Sequence, residues 1–488
     1  MTLEDLQHLL GRLSGVRVVV IGDVMLDRFV HGEVSRVSAE APIPVLAHGQ
    51  ENVMLGGAGN VARNIAALGG MATLIGLVGE DGPAEEVRRL LDDEDAIAAA
   101  MITDGARPTT VKMRYSASGQ QLLRVDTEVI SPASGRPEAA LVESLGQAAP
   151  TAAALVVSDY GKGVVTPVVI EACLTMAKTY GLRIVVDSKA RGFAHYGLVD
   201  LVKPNAAELA RATDMPTDTD AEVELALAAA LARCQAKAIL VTRAARGLSL
   251  AVRGAGVVHS SRPPPEVFDT AGAGDTTLAA IGLALAAGAD MQTGVELALL
   301  ASNIVVQKAG VATVSPEDLI EAELTAHRSP LEAKIVTVER MTTQAARWRA
   351  QGLKVGFTNG CFDILHPGHI AYLTQAKSWC DRLIVGLNTD ESVRSIKGPE
   401  RPVNRLEARA MVLAGLAAVD LVIPFEDETP VALIAAARPD VLVKGGDYSL
   451  DHIVGRDLVE GWGGQVRLAE FIEGHSTTST IARLGGGR

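Results

Sequence analysis

Aromatic residues are scarce in this sequence. Phe, Trp and Tyr account for 3% of its 488 residues, whereas hydrophobic residues of all kinds account for 48% and glycine occurs 48 times. This composition disfavours an aromatic-rich β-sandwich and suits helices that pack closely on a sheet. We therefore expect an α/β protein, and a length prior of ~150 residues per domain predicts two or three domains.

Cysteine is also scarce, and the cysteines are isolated. The four of them, Cys173, Cys234, Cys361 and Cys380, form no C-x-x-C pair. This pattern disfavours a disulfide-rich domain and is typical of a reducing compartment. The N-terminus carries acidic residues early and has no basic region before an apolar one, so we expect no signal peptide and a cytoplasmic location.

Long apolar runs and an excess of basic residues are missing as well. The most apolar predicted helices, near 277–290 and 295–306, are too short and too often interrupted by polar residues to span a bilayer. Acidic residues outnumber basic ones by 58 to 45, and the net charge of -13 disfavours a polyanionic partner. We therefore expect neither a membrane nor a nucleic acid as partner.

Apolar, β-branched runs that end in a polar residue recur in the first part of the chain. The runs VRVVVIGD, ALVVSD, RIVVD, LVDLVKPN and AILVTR end at Asp23, Asp159, Asp187, Asn205 and Arg243. Such runs, separated by helical stretches, predict a parallel sheet covered by helices on both faces. Because these sheets bind ligands at the carboxyl ends of their strands, the polar residues lie at the predicted binding edge.

A second series of strands follows after a change in character of the sequence. Its runs are LKVGFTNG, DRLIVGLNTD, DLVIPF and DVLVKGGD. This segment has strands and helices of its own and is long enough to fold alone. We therefore place one domain at 1–325, a linker at 326–344 and a second domain at 345–488.

The octapeptide DTAGAGDT, residues 269–276, precedes the helical pattern TTLAAIGLALAAGAD. Its glycines allow a tight turn that aims backbone N–H groups at an anion near the start of the helix. Asp275, beside that turn, is suited to accept a proton from a hydroxyl that attacks a phosphoryl group, and the alternative is that it caps the helix. No G-x-x-x-x-G-K-[ST] motif occurs, which excludes a Walker-type P-loop.

Motifs within residues 10–320 resemble those of the ribokinase-type carbohydrate kinases. They are GDVMLD (22–27), GGAGNVARNIAALG (56–69), VKPNAAE (202–208), VTRAARG (241–247) and DTAGAGDT, in family order. The resemblance implies a ribokinase-like α/β domain with a small β lid, Asp275 as catalytic base, ATP with Mg²⁺, and a homodimer through this domain, and it leaves a K⁺ requirement open. It implies ATP contacts for Asn205, Glu208, Thr242, Ala271, Gly272, Ala273 and Gly274, and sugar contacts for Asp23, Asp27, Gly56, Gly57 and Asn60.

The segment TTVKMRYSASGQQLLRVDTE, residues 109–128, resembles a pair of lid strands. Lys112, Arg114 and Arg124 in this segment are candidates for binding an anionic end of the sugar substrate. Each of them could instead be a solvated charge at a sheet edge.

The segment TNGCFDILHPGHI, residues 358–370, contains two histidines separated by Pro367 and Gly368. LKVGFTN predicts a strand and PGHIAYLTQAKSW a helix with Pro at its first position, which places His366 and His369 at a helix N-terminus. The dipole and the free N–H groups there favour an anion over zinc, and no third ligand follows at a familiar spacing. We therefore expect phosphate and no bound metal.

Residues 354–480 resemble the nucleotidyltransferases that share the H-x-G-H signature and a Rossmann-like, cytidylyltransferase-like fold. The motifs TNGCFDILHPGHI, RPVNRLEAR (401–409), LVKGGDY (442–448) and HSTTSTI (475–481) carry the resemblance. It implies that His366 and His369 contact the triphosphate of a second ATP. The further nucleotide contacts it implies are Thr358, Asn359, Gly360, Phe362, Asp363, Lys397, Arg405, Lys444, Ser476, Thr477 and Thr478.

The two halves in this order resemble the bifunctional heptose 7-phosphate kinases and heptose 1-phosphate adenylyltransferases. This resemblance implies sugar phosphates as substrates and a role in making ADP-heptose for the lipopolysaccharide core. The H-x-G-H motif recognises phosphates and does not select a base, so a cytidylyltransferase that acts on another sugar or polyol phosphate is the alternative enzyme. A nucleotide-sensing scaffold with decayed sites is the non-enzymatic alternative, and the presence of Asp275, His366 and His369 disfavours it.

Overall fold

The computed structural model describes residues 1–117, 120–263, 267–308, 310–326, 331–427, 429–445 and 453–469. Within them the chain divides into two compact units, Met1–Leu324 and Thr325–Arg488. No helix in these ranges combines the length and the hydropathy that a transmembrane span requires.

The first unit contains one large, mainly parallel sheet and one smaller sheet. Its strands are β1 Arg17–Gly22, β2 Val24–Val37, β3 Pro44–Gly57, β4 Met71–Val78, β5 Ile97–Thr103, β6 Thr110–Ala117, β7 Gln120–Thr127, β8 Ala154–Asp159, β9 Arg183–Ser188, β10 Leu201–Lys203, β11 Ala238–Thr242, β12 Leu248–Val252 and β13 Val257–Ser260. Its helices are α1 Leu3–Leu13, α2 Ala58–Ala67, α3 Gly82–Asp92, α4 Arg136–Ala148, α5 Pro167–Tyr180, α6 Ala206–Thr213, α7 Asp220–Arg233, α8 Ala273–Ala286, α9 Met291–Val305 and α10 Pro316–Ala326.

The large sheet confirms the parallel arrangement that the apolar runs predict. Its order is β13-β12-β11-β10-β9-β8-β1-β4-β5, parallel from β11 to β5, with antiparallel β12 and β13 at one edge. Along β1, Val18 and Val20 enter one apolar core while Val19 and Ile21 enter a second core on the opposite face. Both faces are therefore covered, as expected for a parallel sheet.

The smaller sheet, which we call the lid, has the order β3-β2-β6-β7. β6 and β7 pair antiparallel with Arg114 opposite Arg124, so the predicted pair of lid strands at 109–128 is confirmed. β2 begins at Val24, one residue after Asp23, which links the lid directly to the carboxyl end of β1. Side chains of the lid thus lie close to the binding edge of the large sheet.

The second unit contains a parallel sheet with the order β16-β15-β14-β17-β18. Its elements are α11 Val338–Ala350, β14 Val355–Gly360, α12 Pro367–Lys377, β15 Arg382–Asn388, α13 Asp390–Lys397, α14 Leu406–Ala414, β16 Leu421–Phe425, α15 Val431–Ala437, β17 Val441–Gly445, α16 Arg456–Gly461 and β18 Gln465–Ala469. The four strands expected from sequence are present, and edge strand β18 is an addition. Its run QVRLA alternates polar and apolar residues, a weaker signal than the continuous runs of the inner strands.

The N-terminal half of α11 lies within the segment 326–344, for which the sequence predicts a linker. Ile335 forms a β-bridge with Val422, and Val336 and Met341 are buried in the core of the second unit. Residues from Ile335 onward therefore pack with the second unit. A fragment beginning at 345 would remove these contacts.

We expect the two units to fold separately when the chain is cut between 326 and 331. A fragment 331–488 should be more stable than a fragment 345–488 by about 2–5 kcal/mol, because the shorter one loses the buried Met341 side chain. All three tryptophans, Trp348, Trp379 and Trp462, belong to both fragments, so urea unfolding followed by Trp fluorescence compares them directly. Equal midpoints would show that the segment before 345 contributes nothing.

Candidate active sites

Helix α8 begins inside the glycine motif of the first unit. The sequence predicts a helix from residue 276 onward, whereas α8 starts at Ala273 with Gly272 as its N-cap. Gly272 has φ of 80°, and a Cβ there would lie 2.9 Å from the side-chain nitrogen of Asn60. This left-handed, tightly packed position suits glycine and brings Asp275 into the first helical turn.

The Asp275 carboxylate is buried and receives one hydrogen bond on each oxygen. Asn60 Nδ2 donates to Oδ2 at 2.9 Å, and Tyr160 Oη donates to Oδ1 at 2.7 Å. The helix has no side-chain cap, so Asp275 does not act as the helix cap that was its alternative role. Burial raises the pKa of Asp275 to about 6, against the two donors, which lower it.

Asn60 is itself fixed by a buried network between α2 and α8. Asn64 donates to the backbone and side-chain oxygens of Asn60, at 2.9 and 3.1 Å, and Thr276 donates to Asn64 at 2.9 Å. Because both amides are fully buried, their donors and acceptors must be satisfied within the protein. This network fixes the orientation of the Asn60 amide toward Asp275.

The carboxylate of Asp23 anchors the loop that follows β8. It accepts backbone N–H groups from Tyr160, Lys162 and Val164 at 2.8, 3.0 and 3.2 Å. Burial raises the pKa of Asp23 to about 6, and these three hydrogen bonds oppose the shift. Asp23, implied as a sugar contact, thus organises the loop that carries Tyr160.

Two glycines implied as sugar contacts permit close approaches to acidic residues. A Cβ on Gly56 would lie 2.1 Å from Asp27 Oδ2, and one on Gly57, where φ is 56°, would lie 2.4 Å from the carbonyl oxygen of Asp23. Asp27 accepts a hydrogen bond from Arg114 at 2.6 Å. Of the lid cations, Arg114 is therefore paired with an implied sugar-binding residue.

The other two lid cations differ in their surroundings. The Lys112 amine lies 5.2 Å from the centre of the Tyr160 ring, at the edge of the Asp275 site. Arg124 pairs with Asp126 at 2.9 Å, and its side chain is 52% exposed on β7, a strand that is exposed along its whole length. The structure thus brings Lys112, more than Arg124, toward the candidate base.

Asn205 and Glu208 form a capping box at the start of α6. Asn205 accepts the Glu208 N–H at 2.8 Å, and Glu208 accepts the Asn205 N–H at 2.7 Å. The other carboxylate oxygen of Glu208 pairs with Lys189 at 2.9 Å. Thr242 forms a β-bridge with Asn205, so the implied ATP contacts of β10 and β11 are adjacent.

Asp269, the first residue of the DTAGAGDT motif, accepts hydrogen bonds that hold the glycine loop in place. Asp269 accepts the N–H of Ala271 at 2.9 Å and that of Gly310 at 3.2 Å. Gly274 is exposed in the first turn of α8, where a Cβ would lie 3.7 Å from the amine of Lys203. The turn therefore presents glycine backbone next to a buried cation, a geometry suited to an anion.

Three residues near Asp275 were missed by sequence reasoning. They are Tyr160, Lys189 and Lys203, of which Lys203 pairs with Asp187 at 3.1 Å. All three lie at or just after the carboxyl ends of parallel strands. The signal that could have found them is their position within two residues of the polar residues that end the apolar runs, because ligands bind at the carboxyl ends of parallel strands.

The histidines of the second unit lie at the N-terminus of α12, as the sequence predicts. His366 is the N-cap, and the two imidazole rings stack with centroids 3.8 Å apart. Burial, and next the neighbouring His366, lower the pKa of His369 to about 4, so this ring is neutral at pH 7 in the unliganded protein. No cluster of three potential metal ligands occurs among the described residues.

Phe362 adopts a backbone conformation that is rare for a residue with a side chain. Its φ is 41°, its ring is buried, and the ring centre lies 5.3 Å from that of His369. A Cβ on Gly360 would lie 3.0 Å from the same ring. Because this backbone conformation is strained, the surrounding packing must hold the Phe362 ring in its place beside His369.

Asp363 connects residues 361–366, the histidine loop between β14 and α12, to the segment before α14. Its carboxylate accepts a hydrogen bond from Arg401 and the N–H groups of Val403 and Asn404, the latter two at 2.7 and 3.0 Å. The Asn404 amide donates in turn to the Asp363 carbonyl at 2.8 Å. Asp363, implied as a nucleotide contact, thus fixes the RPVNR segment.

Arg409 is a buried hub that sequence reasoning missed. Its guanidinium donates to the carbonyls of Cys361, Asn388 and Asn404 at 2.6, 2.8 and 2.9 Å, and it pairs with Asp390 at 2.6 Å. The side chain is 0% exposed. The motif RPVNRLEAR contains it, but position alone does not distinguish a buried arginine from the exposed Arg405.

The remaining implied nucleotide contacts are dispersed around this loop. Thr358 is buried and shares a hydrogen bond of 2.6 Å with Tyr372, whereas Lys444 of β17 donates to Asn359 at the end of β14. Lys397 and Arg405 are exposed at the end of α13 and at the N-cap of α14. Ser476, Thr477 and Thr478 lie outside the described residues.

Comparison with known proteins identifies the two units. Residues 16–318 match the family model of the pfkB family carbohydrate kinases, and residues 357–478 match that of the cytidylyltransferase-like proteins. Bifunctional protein HldE of Hyphomonas neptunium is 50% identical over 483 residues, with 99% of both chains covered. Bifunctional protein HldE of Caulobacter vibrioides is 50% identical over 482 residues, again with 99% of both chains covered.

This chain belongs to the HldE family of bifunctional proteins. The predicted family is confirmed, and the chain is a bifunctional enzyme that joins a carbohydrate kinase to a nucleotidyltransferase. The solved structure of phosphofructokinase-2 from Escherichia coli is similar to this one, with a TM-score of 0.54 and 24% sequence identity. The alignment covers 64% of this chain and 100% of that chain. That likeness confirms the ribokinase-like fold of the first unit.

Replacing Arg409 by methionine should destabilise the second unit by about 3–5 kcal/mol, because the change leaves three carbonyl groups and Asp390 without their buried donor. Arg405→Met, at an exposed position in the same motif, should change stability by less than ~0.5 kcal/mol. Since every tryptophan lies in the second unit, urea unfolding of the full chain followed by Trp fluorescence reports on that unit. Equal effects of the two variants would contradict the role of Arg409.

Proposed function

We propose that the first unit phosphorylates D-glycero-β-D-manno-heptose 7-phosphate at O1 with ATP. The second unit transfers the adenylyl group of another ATP to heptose 1-phosphate, with release of pyrophosphate, to give ADP-heptose for the lipopolysaccharide core. A separate phosphatase removes the 7-phosphate between the two steps. Membership in the HldE family over nearly the whole chain supports both activities, and the cytidylyl alternative is not favoured.

The observation that carries the kinase proposal is the buried Asp275 at the start of α8. Its carboxylate takes the proton from the attacking sugar hydroxyl, the hydroxyl oxygen forms a bond to the γ-phosphorus, and the bond to ADP breaks. The backbone from Ala271 to Gly274 and the N-terminus of α8 face the negative charge of the transferring phosphoryl group. The donors on Asp275 leave a lone pair of each oxygen for the substrate hydroxyl.

The nucleotidyl transfer rests on the stacked histidines at the start of α12. A phosphate oxygen of heptose 1-phosphate attacks the α-phosphorus of ATP, and pyrophosphate carries away the electron pair of the broken bond. His366 and His369 donate hydrogen bonds to the triphosphate, whose charge favours their protonation and opposes the lowered pKa of His369. Lys444 and Asn359 at the strand ends add a second polar edge to the site.

Mg²⁺ supplies charge neutralisation when it is bound with ATP. Because Glu208 already pairs with Lys189 and caps α6, Asn205 and Glu208 fit the water shell of a hydrated ion rather than the ion itself.

A K⁺ requirement, a homodimer through the kinase unit and a cytoplasmic location stay predictions. The exposed Leu122, Leu123 and Val125 of β7 provide apolar surface on the lid for such a dimer.

The two activities should respond separately to point substitutions. Asp275→Asn keeps the shape of the side chain and deletes the base, so phosphorylation should fall by ~10²–10⁴ while nucleotidyl transfer persists. His366→Ala and His369→Ala should have the opposite effect. Each variant is the control for the other in coupled assays of ADP and pyrophosphate release. Wild-type phosphorylation by Asp275→Asn would rule out this residue as the base.

The kinase should prefer a seven-carbon sugar with a terminal phosphate to one without it. A charge-assisted contact favours the phosphorylated sugar by roughly one to two decades. Lys112→Gln should reduce this preference more than Arg124→Gln, because Lys112 lies beside Asp27, an implied sugar contact, whereas Arg124 is exposed and paired with Asp126. Initial rates with heptose 7-phosphate, fructose 6-phosphate, ribose and adenosine test the first activity. Heptose 1-phosphate with ATP and with CTP tests the second. Comparable rates on ribose or adenosine would contradict the heptose assignment, and a preference for CTP would restore the cytidylyl alternative.

A further inference from the structure

Tyr160 contacts the candidate base and three other charged residues around it, although neither the motifs nor the family resemblance assign it a role. Its hydroxyl donates to Asp275 Oδ1 at 2.7 Å, and its backbone N–H donates to Asp23 at 2.8 Å. The amines of Lys112 and Lys189 each lie 5.2 Å from the centre of its ring. One side chain therefore joins the base, the lid and the end of β9.

The loop around Tyr160 is held so that the ring has little freedom. Besides the three N–H groups bound to Asp23, the N–H of Gly161 donates to Asp159 at 2.8 Å. Asp159 is fixed in turn by the hydroxyl of Tyr196. Because its backbone is anchored and two cations lie near its ring, the Tyr160 hydroxyl is pre-organised toward Asp275.

We propose that Tyr160 is a positioning residue of the kinase: its hydroxyl orients the Asp275 carboxylate and keeps it ionised until the sugar hydroxyl arrives. This inference rests on the proposed kinase function. A buried carboxylate tends to take up a proton, and a donor that binds the ionised form opposes this. Asn60 serves the second oxygen, so the two donors fix the plane of the carboxylate.

The charges around the base divide between those that favour and those that oppose ionisation. Asp187 on β9 raises the pKa of Asp275, and Lys203 on β10 lowers it. Lys189, which follows β9, faces Asp275, while Asp27 on the lid and Lys112 face Tyr160. Burial and the Asp275 carboxylate raise the pKa of the Tyr160 phenol, so the phenol stays protonated and acts as the donor.

Tyr160→Phe removes this donor and should raise the pKa of Asp275 by about one unit. The ionised form of Asp275 loses a stabilising partner, so Asp275 stays protonated up to a higher pH. Phosphorylation is therefore lost on the acidic side of the pH range. With a starting pKa of about 6, kcat/KM should fall about fivefold at pH 6 and less than twofold at pH 8.5, relative to wild type at the same pH.

Tyr196→Phe is the matched control. It also deletes a buried tyrosine hydroxyl that donates to a carboxylate, here Asp159, which anchors the Tyr160 loop. Because it leaves the Tyr160 hydroxyl and its hydrogen bond to Asp275 in place, it reports the effect of weakening the loop anchor alone. The kcat/KM of Tyr196→Phe, divided by that of wild type, should be the same at every pH. A Tyr160→Phe variant that loses activity equally at all pH values, or keeps the wild-type profile, would overturn the proposal.

A measurement without turnover separates this inference from the proposed function. Full-length protein labelled with ¹³C at aspartate carboxyl groups reports the Asp275 titration, with the signal assigned by its loss in Asp275→Asn. Its midpoint should move upward in Tyr160→Phe and stay in place in Tyr196→Phe. If the midpoint moves but the wild type phosphorylates no heptose 7-phosphate, the proposed function fails and the positioning role stands. An unmoved midpoint in an active kinase would overturn the positioning role alone.

Discussion

In the mechanism that we propose, the kinase site depends on keeping one buried carboxylate ionised. Asp275 is 4% exposed, and burial alone favours its protonated form. Its donors come from different parts of the first unit, Asn60 from α2 and Tyr160 from the loop after β8. The packing of α2 on α8 and the anchoring of the β8 loop are therefore conditions for the chemistry, since each places one donor.

The loop after β8 owes its shape to a second buried carboxylate. Asp23 follows β1, and its oxygens collect the N–H groups of Tyr160, Lys162 and Val164. Because β1 and β8 are neighbours in the parallel sheet, their carboxyl ends meet, and the aspartate of one strand organises the loop of the other. The lid begins one residue later at Val24, so the same turn also fixes where Lys112 and Arg114 lie.

In the second unit the buried charge that connects loops is a cation, the guanidinium of Arg409. Arg409 places its guanidinium among three backbone carbonyls and Asp390, and so connects the loops that follow β14 and β15 with the start of α14. Asp363 adds a connection from the histidine loop to the segment around Arg401. In both units a buried charge joins loops at the carboxyl ends of parallel strands, in the same site as a helix N-terminus, which favours an anion.

Sequence alone was sufficient for the fold class, both motif sets and the placement of His366 and His369 at a helix start. Continuous apolar runs, the Pro at the first position of α12 and the glycines before α8 are local signals, and local signals can be read without neighbours. Only the tertiary structure brought Tyr160 and Asn60 to Asp275, which lies more than a hundred residues from each in the chain. It also distinguished the buried Arg409 from the exposed Arg405 within one motif, and assigned the residues after Ile335 to the second unit. These features depend on contacts between distant segments, and burial, which gives each charge its role, exists only once those segments have packed.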